Sequence, residues 1–151
     1  MPPLNHAVLS ASSAYRWLEC PPSALATADI QDETTIYAQE GSAAHEMAEY
    51  KIRWHLGEKD LAPPNIGNFN AEEIDRYTDS YAYYATDKIE TIRKICPDAI
   101  VMVEQRLDFS NYVKDGFGTG DLVIVADDVL QVIDFKYGKG VTVSAEHNPQ
   151  M

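Results

Sequence analysis

Apolar and polar positions follow distinct rhythms along the chain, and each rhythm predicts an element. Between Asn70 and Pro97, the residues Ile74, Tyr77, Tyr81, Tyr84, Ile89 (one step late), Ile92 and Ile95 recur at spacings near three and four, which is one apolar stripe of a long helix. Asn70 opens it with Glu73 in capping-box position, and Pro97 closes it. The segment EGSAAHEMAEYKIRWHL (40–56) is also helix-like, with Ser42 as cap and Gly57 as stop. Ser12 caps a short helix through Tyr15, Arg16, Trp17 and Leu18, which Pro21-Pro22 interrupts and restarts. The polar stretch Thr27 to Thr35 and the segment LAPPNIGNF (61–69) read as loops. After Pro97 the pattern becomes β-branched and apolar: IVMVEQRL (100–107), DLVIVA (121–126) and VLQVIDFK (129–136) read as strands, the last two joined at Asp127-Asp128 as a hairpin. Helices followed by a strand meander predict an α/β or α+β chain with helices packed on a sheet.

The hairpin has a chemical consequence. A two-residue turn pairs Ala126 with Val129, so Val123 faces Val132, Leu122 faces Ile133 and Asp121 falls opposite Asp134. Directly opposed side chains have β-carbons only ~5 Å apart, and Lys136 shares the face of Asp134. Both faces are otherwise apolar, which predicts a hairpin covered on both sides in the middle of a sheet. Two readings of the opposed carboxylates follow. Either a cation sits between them, or they lie in water at a frayed sheet end with Lys136 as a salt-bridge partner. Under the first reading, a divalent ion lowers the pKa of a bound water and Lys136 offsets charge developing on a phosphoryl oxygen.

With 151 residues, 45% apolar and 24% charged, the chain reads as one globular domain, residues 1–151, and not as a disordered or fibrous chain. No apolar run approaches the ~20 residues of a membrane helix, and the start MPPLNHAVLS lacks a signal-peptide layout, so no membrane and a cytoplasmic setting are expected. Cys20 and Cys96 are then reduced thiols, with Cys20 expected to be buried, and two cysteines are too few for a four-cysteine zinc or iron–sulfur site. A net charge of −12 excludes nucleic-acid affinity from a broad basic surface. Any such function must rest on a local site, on bound cations or on further parts of a longer chain. The tyrosine stripe fits core packing better than a base-stacking platform. Trp17 is assigned to packing, Arg16 is left open, and Glu49, one turn from His45, either joins a site or lies with Glu46 on a solvated face.

The segments GTGD (118–121) and VIDFKYGKG (132–140) together resemble the PD-(D/E)XK nuclease superfamily, with Asp134-Phe135-Lys136 as its second motif. EGSAAHEMAE (40–49), with His45, resembles the helical histidine motif of the RecB-like branch. SASSAYRWLECP (10–21) is similar to that branch's N-terminal segment, and AEHNPQM, with Gln150, to the start of its glutamine-led helix. The chain looks most like a phage- and prophage-associated member of the branch, from residue 10 to the last residue. The resemblance implies a restriction-endonuclease-like α/β core: N-terminal helices on a central mixed β-sheet, with an antiparallel hairpin carrying the site. It implies DNA phosphodiester hydrolysis with Mg²⁺ or Mn²⁺, with DNA and phage recombination or replication proteins as partners. It assigns metal ligation to His45, Asp121 and Asp134, adds Glu104 as a further acidic member, and gives catalytic roles to Lys136, Asp121, Asp134 and Gln150. A silent DNA- or protein-binding module derived from the same fold is the alternative. Three features depart from the pattern. The glutamine helix lacks its later tyrosine, so a C-terminally truncated domain is expected. Cys20 matches an early iron–sulfur ligand of some relatives without the three late ones. The acidic net charge is the third.

Overall fold

The computed structural model describes residues 7–27, 30, 35–138, 144 and 146–149. Helices α1 (Ala14–Glu19), α2 (Pro22–Ala26), α3 (Ile36–His55) and α4 (Ala71–Ile95) precede strands β1 (Ile100–Asp108), β2 (Phe117–Ala126) and β3 (Val129–Ile133). The chain forms two compact units: one takes the described parts of 1–33, 106–119 and 140–151, the other those of 34–105 and 120–139.

In the larger unit, α3 begins at Ile36, ahead of the start expected at Glu40. Thr35 is its cap, with Oγ1 accepting from the Ala38 N–H at 3.1 Å, whereas Ser42 lies inside the helix and donates to the Ala38 carbonyl. Gly41 sits within the helix, where it weakens the sequence signal without ending the helix. Helix α4 starts as expected, Asn70 Oδ1 accepting from the Glu73 N–H at 3.2 Å. Its buried face, however, runs through Ile74, Thr78, Ala82, Ala85 and Ile89, while Tyr77, Tyr84 and Ile95 are exposed. The reason is the partner. Helix α3 contributes Ala43, Ala44, Met47 and Ala48, which pack with Ile74 of α4 and the Phe135 ring, while Ala82 and Ala85 of α4 pack with Ile52 of α3 and with Leu122 and Ile124 of the sheet. The buried isoleucines Ile52, Ile74 and Ile89 anchor these two clusters, each worth about 2 kcal/mol of burial. Lys51 ties the pair together, donating from Nζ to Thr78 Oγ1 at 2.8 Å, Asp75 Oδ1 at 3.0 Å and Asp79 Oδ1 at 2.6 Å.

The sheet has the order β1-β2-β3 and is antiparallel, so the parallel component expected of a mixed sheet is absent among the described residues. The hairpin register is the one the sequence predicts, from Ala126–Val129 to Leu122–Ile133, and Asp127 takes the positive φ (47°) a tight turn requires. Only β2 is covered on both faces, with Leu122, Val123 and Ile124 buried. Strand β3 is an edge among the described residues, and its Val129 and Leu130 are exposed. It ends at Ile133, short of the expected Lys136, because the chain leaves the ladder there. Arg53 links α3 to β1, its Nη2 donating to the Val103 carbonyl at 2.9 Å while Nε holds Glu49 at 2.7 Å.

In the smaller unit, Pro22 starts α2 after the expected break, and Trp17 Nε1 donates to the Ser10 carbonyl at 2.9 Å, the packing role assigned to it. No side-chain cap forms at α1, and Cys20 is exposed, not buried, because it lies on the short link between α1 and α2. Trp17, Leu18, Leu25 and Phe117 line an apolar cleft of about 740 Å³.

Within β1, Glu104 stands in the left-handed region with φ 48°. A side chain there costs about 1–2 kcal/mol that glycine does not incur. The usual strand order, in which alanine outranks glycine, should therefore reverse. Glu104→Gly is expected to be more stable than Glu104→Ala by about 1 kcal/mol in urea unfolding, and an alanine variant that equals or exceeds the glycine one would refute a strained position.

Candidate metal centre

Three side chains from three elements of the larger unit converge. His45 follows Ala44 on α3, Glu104 projects from the left-handed position in β1, and Asp121 precedes the buried Leu122 on β2. His45 Nδ1 lies 3.5 Å from Asp121 Oδ2 and 4.0 Å from Glu104 Oε1, and one candidate ligand atom from each residue falls within 4.8 Å of the others. Asp121 is the most enclosed of the three, with a side chain 12% exposed. Its Oδ2 also accepts the Phe135 N–H at 2.6 Å, so that a carboxylate takes the backbone donor just beyond the last ladder pair.

Phe135 is the hub beneath the cluster. Its buried ring lies 5.2 Å from the His45 ring and stacks on Tyr81 at 4.6 Å and 23°. Regular pairing stops at Leu122–Ile133, one pair before Asp121–Asp134. Asp134 lies outside the three-residue cluster, with its Oδ2 2.7 Å from Lys136 Nζ. The structure thus joins His45, Glu104 and Asp121 in one group and Asp134 and Lys136 in an adjacent ion pair. Gln150 lies outside the described residues. Glu49 pairs with Arg53, and Glu46 is exposed.

Tyr81 is the neighbour that sequence reasoning left among core residues. Its hydroxyl donates to the Ile133 carbonyl at 3.5 Å. Burial raises its pKa, and the charges of Asp121, Glu104 and Asp134 raise it further, so the phenol stays protonated. Helical spacing alone carries no signal of that placement, since nearness to the strand carboxylates arises only from the tertiary fold.

His45 is the cation of the metal-free cluster. Its interaction with Asp121, then that with Glu104, raises its pKa from 6.5 to about 9 against the opposing effect of partial burial. Because the folded value is raised, the stabilisation is complete below pH 6.5 and is lost as pH rises through about 9. Metal ligation through the imidazole near neutral pH must release this proton. In metal-free protein, an NMR titration of the His45 ring should show a midpoint near 9, lowered more by Asp121→Asn than by Glu104→Gln. A midpoint at or below 6.5 would contradict the cluster geometry.

The helices of the described residues include none long and apolar enough to cross a membrane. No solved structure matches the chain. A family described as "Protein of unknown function (DUF2800)" matches residues 6–151, nearly the whole sequence, and the chain belongs to that family.

Proposed function

We propose that the protein is a divalent-metal-dependent deoxyribonuclease of the PD-(D/E)XK type, on a restriction-endonuclease-like core and of the RecB-like, phage-associated kind. The observation that carries this reading is the convergence of His45, Glu104 and Asp121 beside an Asp134–Lys136 ion pair. The donor set fits a divalent ion: one imidazole nitrogen and two carboxylates, a mixture that suits Mn²⁺ somewhat better than Mg²⁺. When bound, such an ion supplies a water of lowered pKa and stabilises charge on a phosphoryl oxygen.

The chain's own residues have separable tasks. Asp121 is held by the Phe135 N–H, which fixes the direction of its remaining lone pairs. Asp134 holds Lys136, whose half-exposed ammonium would be offered to a phosphate oxygen or to the attacking water. Tyr81 and Phe135 close the floor of the site against water. DNA is the proposed substrate, in a cytoplasmic setting, with phage recombination or replication proteins as partners. With a net charge of −12, DNA affinity depends on the bound cation and falls with added salt.

The test is Mn²⁺ titration by calorimetry followed by cleavage of single- and double-stranded DNA. Asp121→Asn should weaken Mn²⁺ binding by roughly tenfold or more, and Asp134→Asn by less. Lys136→Ala should leave Mn²⁺ affinity unchanged or slightly tighter while slowing cleavage ~10²–10⁴-fold. Wild-type protein that binds no Mn²⁺, or cleavage unaffected by Lys136→Ala, defeats the proposal.

A further inference from the structure

The segment carrying Asp134 and Lys136 lies outside the ladder, because β3 ends at Ile133 and residues 134–137 are in no strand. Something other than sheet hydrogen bonds must hold it. Alternate residues do so. Phe135 is buried among Ala43, Ala44, Met47, Ala48 and Ile74, and Tyr137 packs on the same cluster. Tyr137 Oη–H donates to Glu40 Oε1 at 3.0 Å, and its ring meets Tyr77 edge-on at 5.7 Å and 88°. Gly138 follows with φ 118°, so the chain turns just after Tyr137 through a conformation that side chains resist. Lys136 therefore sits between two aromatic anchors, Phe135 and Tyr137, and is exposed between them.

We propose that Tyr137 is a positioning residue for Lys136: its hydroxyl on Glu40 of α3 and its ring on Tyr77 of α4 clasp the segment after β3 and fix the Lys136 ammonium beside Asp134. The role given to Lys136 rests on the nuclease reading above; the clasp itself does not. Tyr137 is half-buried, and burial, then Glu40, raises its pKa to about 12, so the hydroxyl stays a donor across the working pH range. A clasp of this kind limits the stem of Lys136 to few directions while leaving its head open to a substrate oxygen, which is what positioning requires.

The test uses the full chain as wild type, Tyr137→Phe, Glu40→Ala and the double variant. Tyr137→Phe keeps the ring and removes only the donor, so the fold survives it. With lysine labelled by carbon-13 at Cε, and the Lys136 signal assigned from its loss in Lys136→Arg, relaxation should show restricted motion in wild type. Either single variant should release that signal toward the mobility of an exposed lysine, and the double variant should release it no further, because both cut one hydrogen bond. In the cleavage assay each single variant should lose about ten- to a hundredfold in kcat, with KM and Mn²⁺ affinity unchanged. A Lys136 signal that is already mobile in wild type, or unmoved by both variants, overturns the proposal whether or not DNA is cut. Additive effects of the two substitutions overturn it as well. If Lys136 responds as expected while the wild type cuts no DNA, the clasp stands and the nuclease reading falls.

Discussion

At the end of the β2–β3 ladder, the Phe135 N–H turns away from backbone pairing and donates to the Asp121 carboxylate at 2.6 Å. Everything around the cluster depends on that exchange. It satisfies a backbone donor next to a buried ring, where an unpaired N–H would cost about 1–3 kcal/mol. It also orients Asp121 and sets the direction in which Asp134, Lys136 and Tyr137 leave the sheet. Chain geometry and acid placement are thus one constraint, because the carboxylate is the structural stop of the strand.

A second constraint lies in the helices. Asp121 has its position from the sheet, but His45 has its position from α3, and α3 is held against α4 by packing around Ile74 and Ile52 and by Lys51 reaching Thr78, Asp75 and Asp79. Arg53 adds a link from α3 to the β1 carbonyl of Val103, one residue before Glu104. The histidine and one of its acidic neighbours are therefore connected through rigid elements and short polar bridges, which keeps the convergence within ion-pair range.

Much of this was legible in the sequence where local rules dominate. The pairing of Leu122 with Ile133 follows from a two-residue turn and a period of two, and the Asn70 cap follows from side-chain chemistry within one turn. The sequence pattern places the start of α3 too late because Gly41 and the polar residues before it resemble a loop, although Thr35 caps the helix six residues before that glycine. The hydrophobic pattern of α4 favours its large tyrosines over its alanines, yet it is Ala82 and Ala85 that are buried, packed with Ile52 and with Leu122 and Ile124 of the sheet. The left-handed backbone of Glu104 has no sequence signal at all, since glutamate is neither glycine nor asparagine. Among the candidate residues, the approach of His45 to Asp121 needed a family pattern as well as spacing, because it crosses from a helix to a distant strand.

The alanine-rich buried face of α3 has a mechanical meaning. Ala44 is fully buried in the cluster that Ile74 and Phe135 fill, and His45 is the next residue along the helix, so the height of the imidazole is set by how closely α3 rests on that isoleucine and that ring. A contact of this kind acts as a gauge block with little compliance: one methylene added at Ala44 or Ala48 moves the helix off its support, and the imidazole moves with it. The dimensional tolerance of the acidic cluster is therefore decided away from it, by residues that have no polar atoms in their side chains.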